Sequence, residues 1–251
     1  MTLPSKLNLV FRIGCAMCFI GHGVFGIITK QVWCNYFAVF GIGEAAAYQL
    51  MPVVGTIDVI CGILFIVYPN RIVTAWLVVW GVFTALLRPL SGEPFAEFLE
   101  RAGNYGAPLA LLLLPASAES SDDQMRKLIW CMRMAGFALL LGHGWLNLIE
   151  KAGLLKQYAS IGVANTALTA HIVGIVEIAG ALMILIKPVR QIVLILFLWK
   201  MISEVLYPAY PVFEWIERGG SYAILLGLWL AMSSTRSGIF SFPTLRTNLA
   251  T

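Results

Sequence analysis

The chain contains one pattern of residues twice, and this duplication limits the folds that it can adopt. An arginine, a Gly-His-Gly triplet and a lysine recur in the same order and at the same spacing: Arg12, Gly21-His22-Gly23 and Lys30, then Arg133, Gly142-His143-Gly144 and Lys151. Two further stretches repeat downstream, V-G-T-I-D-V-I-C-G as V-G-I-V-E-I-A-G-A and E-F-L-E-R-A-G-N-Y as E-W-I-E-R-G-G-S-Y. A unit of about 120 residues has therefore been duplicated and fused, and the polar residues kept in both copies are the candidate site.

The composition predicts that both copies lie in a membrane. Hydrophobic residues make up 59% of the chain and charged residues only 12%. Apolar runs of about 18 residues recur, and a helix of that length nearly spans a hydrocarbon core of about 30 Å. We expect eight transmembrane helices, at about 9–28, 51–68, 72–88, 104–118, 130–149, 169–186, 190–207 and 219–233. The predicted class is an all-α polytopic membrane protein.

An even number of spans in each copy makes the two copies parallel repeats, because both enter the membrane from the same side. We divide the chain into a first four-helix repeat (1–118), a polar linker (119–129), a second repeat (130–234) and a C-terminal tail (235–251). The two repeats are called the first half and the second half below.

The positions of lysine and arginine predict the orientation. Outside the spans these residues are more frequent on the side of the N-terminus, the linker and the tail, which favours both termini in the cytoplasm of a bacterial inner membrane. This bias also accounts for the formal charge of +4, so no nucleic-acid partner is expected.

Two ionisable pairs should lie inside the membrane. His22 and Asp58 fall at similar depths in the first two spans, and His143 and Glu177 repeat those depths. Ionisable groups in a bilayer are costly, so each histidine should face its acid inside the bundle. Either each pair is a structural hydrogen bond between helices, or it exchanges protons beside a ligand. The flanking glycines permit close helix packing or approach of a ligand.

A second charged cluster precedes the last span of each half. Its members are Glu97, Glu100 and Arg101 in the first half, and Glu214, Glu217 and Arg218 in the second. One interpretation is an interfacial amphipathic turn. The other is the mouth of a site above the histidines, in which Glu100, Arg101, Glu217 and Arg218 bind a ligand.

Differences between the halves indicate where they have specialised. Cys15 and Cys18 share a helix face with His22, so a soft-metal or thiol site is an alternative there, although buried cysteines are usually inert. Two histidines on symmetry-related helices could also ligate a haem. The second half adds His171, Lys200 and Glu204, and residues 200 and 204 share a helix face. These additions favour the second half as the functional one.

The repeated arginine, Gly-His-Gly and lysine, followed by G-I-V-E-I-A-G-A-L-M-I-L around Glu177, resemble the DoxX/DoxD-like family of four-span membrane proteins. The resemblance covers nearly the whole chain, twice, and Asp58 replaces the usual acid in the first copy. Family members are mostly single units, so the tandem form argues against a conventional homodimer. The resemblance implies a membrane subunit of quinone-linked sulfur oxidation or redox homeostasis, or a chaperone role.

These observations lead to one functional hypothesis and two alternatives. The first is a membrane subunit of a quinone-linked redox system, in which His22, Asp58, His143 and Glu177 line a pocket in the outer half of the bilayer and exchange protons. A partner redox subunit supplies the electrons. The sequence has no dinucleotide-binding motif that would hold an electron donor, and it has no nucleophile elbow. The alternatives are a transporter of small molecules or anions and a non-catalytic assembly partner.

Overall fold

The computed structural model describes residues 1–68, 70–115 and 122–234, and every regular element in these ranges is a helix. The first half forms α1 (Leu3–Ile27), α2 (Trp33–Ala38), α3 (Glu44–Val67), α4 (Arg71–Leu90), α5 (Ala96–Glu100) and α6 (Ala102–Leu113). The second half forms α7 (Asp122–Leu148), α8 (Ala152–Ser160), α9 (Thr166–Ile186), α10 (Arg190–Val205), α11 (Pro211–Glu217) and α12 (Gly219–Ser234). The predicted all-helical class is confirmed.

The first helix of each half ends in the same way. Thr29 and Glu150 both have a left-handed backbone, with φ of 54°. The N–H of the next residue, which is a lysine in both halves, donates 3.0 Å hydrogen bonds to the carbonyls of Phe25 and Leu146. These bonds satisfy carbonyls that a helix C-terminus would otherwise leave unpaired. The repeated lysines therefore leave their helices in the same direction.

Five of the described helices, α1, α3, α4, α7 and α9, are long and apolar enough to cross a membrane. Large apolar side chains such as Ile57 on α3 and Ile175 on α9 are exposed, as contact with lipid requires. The other three predicted spans are also helical, but α6, α10 and α12 have only 12, 16 and 16 residues. At about 1.5 Å per residue they are shorter than a hydrocarbon core of about 30 Å.

The predicted linker differs from the structure where the two overlap. α7 already begins at Asp122, so the polar residues 122–129 form its first turns instead of a separate connection. Asp122 and Asp123 suit this position, because the positive end of the helix dipole attracts acidic side chains. Residues 119–121 of the linker and the predicted tail, 235–251, lie outside the described residues.

Helix packing follows the same scheme in both halves. α1 packs on α3 as α7 packs on α9, and α4 packs on α6 as α10 packs on α12. The halves also interlock, since α1 contacts α11 and α12 while α7 contacts α5 and α6. A single core containing Phe11, Leu77, Leu139 and Leu225 runs between them. Each short helix, α5 or α11, thus lies against the first helix of the opposite half.

Candidate functional site

The arginine of the repeated pattern closes the end of a neighbouring helix. Arg133 is fully buried, and its guanidinium donates to the carbonyls of Ile184 at 3.1 Å and Ile186 at 3.3 Å, at the last turn of α9. Arg12 donates in the same way to the carbonyl of Ile66 at the end of α3. A positive charge at the C-terminus of a helix pairs with otherwise free carbonyls. This residue therefore has a structural role.

The glycines on either side of each histidine allow two other helices to approach. A Cβ on Gly23 would clash with the backbone of Gly55 in α3, and a Cβ on Gly144 would crowd that of Gly174 in α9. On the other side, Gly21 meets the backbone of α11 and Gly142 that of α5, both from the opposite half. Each triplet is thus a crossing point of three helices, and packing accounts for its glycines.

The predicted histidine–acid pairs are present in both halves. Nδ1 of His22 lies 2.8 Å from Oδ2 of Asp58, and Nδ1 of His143 lies 2.5 Å from Oε2 of Glu177. An ionised carboxylate only accepts, so the Nδ1–H of each imidazole donates and Nε2 is left for another partner. The pairs differ in access, because the side chain of His22 is 20% exposed and that of His143 only 6%. The first pair is the accessible one.

The repeated lysines join the halves. Nζ of Lys30 lies 2.6 Å from Oε1 of Glu214, and Lys151 forms the corresponding ion pair with Glu97. Each lysine follows the first helix of its own half, and its acid comes from the short helix of the other half. These contacts tie the end of each first helix to the short helix that packs on it.

The second charged cluster is buried, and its role as an interfacial turn or as the mouth of a site stays a prediction. Glu97 is 0% exposed, and the other five members are at most 8% exposed. Glu100 lies between both halves, with Arg101 at 2.7 Å and Arg218 at 2.7 Å. Burial alone would raise the pKa of Glu100, but the two guanidinium groups hold it well below its usual range. The cluster is an internal ionic network that docking of α5 and α11 onto the first helices encloses.

Glu217 is the exception in this network. It is only 4% exposed, yet its carboxylate makes no hydrogen bond or ion pair with any residue that the structure describes. Burial would raise its pKa, but the positive charges of Arg101, Arg218 and nearby His22 outweigh burial and lower the pKa to about 2. Glu217 is therefore ionised at neutral pH and has free acceptor oxygens.

Glu217 belongs to the lining of a cavity of about 140 Å³ in the first half. Its walls are aromatic, and the ring of Trp33 lies 4.7 Å from that of His22 at an angle of 35°. Its polar groups are His22, Lys30, Thr84, Arg88, Arg101, Asn104 and Glu217. A cavity of about 150 Å³ accommodates one six-membered aromatic ring. The arrangement suits a single ring that carries polar substituents.

The second half holds a cavity at the equivalent place, of about 150 Å³. Its lining includes His143, Trp199 and Ser203, which correspond in the repeat to His22, Trp80 and Thr84 of the first cavity. Its polar groups are already bonded: Trp199 donates to Glu177 at 2.8 Å and Gln157 donates to the carbonyl of Ser203 at 2.6 Å.

Two substitutions place buried charges in the second half that the first half lacks at the equivalent positions. Gly81 lines the first cavity, whereas the second half has Lys200 at the equivalent position. Ala85 is likewise replaced by Glu204, and the two charged side chains pair at 2.8 Å while each is only 1% exposed. Arg218 lies 3.6 Å from the same glutamate. An internal ion pair therefore occupies the second half where the first half has none.

One group of described residues has donor atoms of the kind that bind a metal ion. Glu100, His143 and Glu204 bring their donor atoms to within 4.8 Å of one another, but Lys200 and Arg218 already neutralise these carboxylates. The thiols predicted beside His22, Cys15 and Cys18, are free and lie in the apolar core. The two repeated histidines line different cavities, and a shared haem stays a prediction from the sequence.

Sequence reasoning missed the aromatic lining from α2 and α4, including Trp33, Tyr36 and Trp80. An alignment of α4 with α10 shows that Gly81 and Lys200 occupy equivalent positions of the repeat. His171, singled out from the sequence, lies 3.2 Å from Glu150 at an exposed position away from both cavities.

Comparison of the chain with protein-family models, curated proteins and solved structures finds no match in any of the three. The resemblance to DoxX/DoxD-like proteins stays a prediction, and the geometry of the two cavities carries the functional inference.

Proposed function

We propose that the chain is the membrane subunit of a quinone-linked redox system and that the first-half cavity binds the ring of a quinone–quinol couple. The observation that carries the proposal is a ring-sized, aromatic-walled cavity whose lining includes an imidazole paired to a carboxylate. Aromatic walls stack on a quinoid ring, and polar groups bind its oxygens. In this proposal the chain is a DoxX/DoxD-like protein with eight spans in two parallel repeats and both termini in the cytoplasm.

His22 is the proposed proton-exchange residue. Its Nδ1 is held by Asp58, so Nε2 is free to exchange a proton with an oxygen of the ring. Reduction of a quinone to a quinol consumes two electrons and two protons, and oxidation releases them. A partner redox subunit exchanges the electrons, while the imidazole and water at the cavity opening exchange the protons.

The first half is the functional one in this proposal, in contrast to the expectation from the sequence. His22 is more accessible than His143, and only the first cavity has an unpaired carboxylate in its lining. The Lys200–Glu204 pair gives the second half an internally neutralised copy of the same site.

Binding of a short-chain quinone to purified protein in nanodiscs tests the proposal. Trp33 and Trp80 line the cavity, so a bound quinone should quench part of the tryptophan fluorescence. We expect His22→Ala to weaken quinone binding at least about tenfold, because it removes a hydrogen bond to the ring and leaves a gap in the cavity wall. His171→Ala is the matched control, since this histidine is exposed and lines neither cavity. Unchanged affinity in His22→Ala would sink the proposal.

Transport of a small anion is a second candidate, and the cavity's cations favour it. Lys30, Arg88 and Arg101 all contribute to the lining, although each already has an acidic partner. Uptake of a labelled anion into proteoliposomes, abolished by Arg101→Met, would support this function. A redox subunit should move no solute.

A further inference from the structure

An unpaired carboxylate in the lining of a cavity limits which ligands fit. Glu217 is buried, contributes to the first cavity and has no hydrogen-bonding partner among the described residues. An ionised carboxylate only accepts hydrogen bonds. A buried acceptor without a donor costs free energy, so a ligand that brings a donor is favoured over one of equal shape without it.

In the other copy of the repeat, the acid equivalent to Glu217 has hydrogen-bond donors. The counterpart of Glu217 is Glu100, which accepts from both arginines. Lys200 adds an ammonium within electrostatic reach of Glu100 and Glu177, the counterparts of Glu217 and Asp58. The first half has Gly81 instead of this lysine, so Glu217 lies in a cavity lining without the ammonium that Lys200 supplies in the second half.

We infer that the first-half cavity selects the reduced, dihydroxy form of the ring. One hydroxyl of the ring donates a hydrogen bond to Glu217. It lies where Lys200 stands at the equivalent position of the second half. This inference rests on the proposed function, because it assumes a quinoid ring in the cavity. A hydroxyl can donate to Glu217 and also accept from Arg101, which lines the same cavity. The carbonyl of a quinone has no hydrogen to donate and would place its lone pairs against the carboxylate.

Three probes with the same ring separate these cases: a short-chain benzoquinol kept anaerobic, its quinone, which is close to it in shape, and the dimethyl ether of the quinol, which is larger by two methyl groups. Equilibrium dialysis against the wild-type protein in nanodiscs measures each affinity without a fluorescence signal. A hydrogen bond to a charged group corresponds to roughly ten- to a hundredfold in affinity, so the quinol should bind that much more tightly than the other two.

Glu217→Gln should reduce the preference for the quinol to less than about threefold, because an amide offers both a donor and an acceptor. Glu44→Gln, at an exposed acid in the first turn of α3, is the matched control and should keep the full preference. If Glu217→Gln does not fold, the affinities of the three probes for the wild-type protein still test whether the cavity prefers the quinol.

Equal affinities, or tighter binding of the quinone, would overturn this inference and leave the proposed function standing. Binding of none of the three probes would overturn the proposed function itself. A quinol preference that Glu217→Gln retains in full would assign the donor contact to another residue and also overturn the inference.

Discussion

The Lys200–Glu204 ion pair offers a direct test of the internal ionic network. The two charges are 2.8 Å apart and each side chain is only 1% exposed. Removing one partner of a buried pair leaves an uncompensated charge and typically costs about 3–5 kcal/mol. We expect Lys200→Met to fall near 3 kcal/mol, because Arg218, 3.6 Å from Glu204, still compensates part of the remaining charge.

Replacing both partners should cost less than replacing either one. The double variant Lys200→Met with Glu204→Leu removes both charges together, and apolar replacement of a buried pair ranges from about neutral to stabilising by 1–4 kcal/mol. The double-mutant cycle should therefore give a coupling of several kcal/mol, measured as the free energy of unfolding in mixed micelles during a titration with SDS.

The exposed pair Lys127–Asp123 is a matched control. It has the same four-residue spacing and a distance of 2.7 Å, but its side chains are 65% and 59% exposed. Solvent screening limits such a pair to about 0.5 kcal/mol of coupling. If the Lys200–Glu204 cycle gave a coupling as small as this control, burial would not be the source of the pair's strength, and our view of the second cavity as internally neutralised would be refuted.

Three further predictions follow from packing and charge. Gly142→Ala should lower stability by about 1–3 kcal/mol because its Cβ meets the backbone of α5, whereas Gly153→Ala, with open space around it, should raise stability by up to about 1 kcal/mol in thermal unfolding. Arg133→Met should cost about 1–3 kcal/mol in the same assay, since carbonyls at the end of α9 lose their donor. Because the pKa of Glu217 is depressed, its ionised carboxylate stabilises the fold at any pH above the ordinary carboxyl pKa of 4.5, and this stability is lost as the pH falls towards about 2. Glu217→Gln should flatten that part of the pH–stability profile.

The sequence by itself determined the helical class, the membrane character and the pairing of each histidine with its acid. Apolar runs of sufficient length predict helices in a bilayer, and equal depth along neighbouring helices brings the side chains of His22 and Asp58 together. The duplication then predicts the same contact between His143 and Glu177.

Only the tertiary structure decided the environment of the charged cluster. Glu100 and Glu217 lie in short segments between longer helices, where sequence spacing is equally compatible with an exposed turn. Their burial depends on the packing of α5 and α11 against the first helix of the opposite half. Glycines in that first helix allow the backbones to approach closely. A contact between segments so far apart in the chain leaves no local periodicity to detect.

The tertiary structure also decided which half has the accessible site. From the sequence, Lys200 and Glu204 indicated function, because charges inside a membrane usually mark a binding or transport site. In the structure they neutralise each other in the second half, while Gly81 and Ala85 leave the first half without such a pair. The repeated Gly-His-Gly thus marks two equivalent positions whose surroundings differ, because the second half carries the Lys200–Glu204 ion pair.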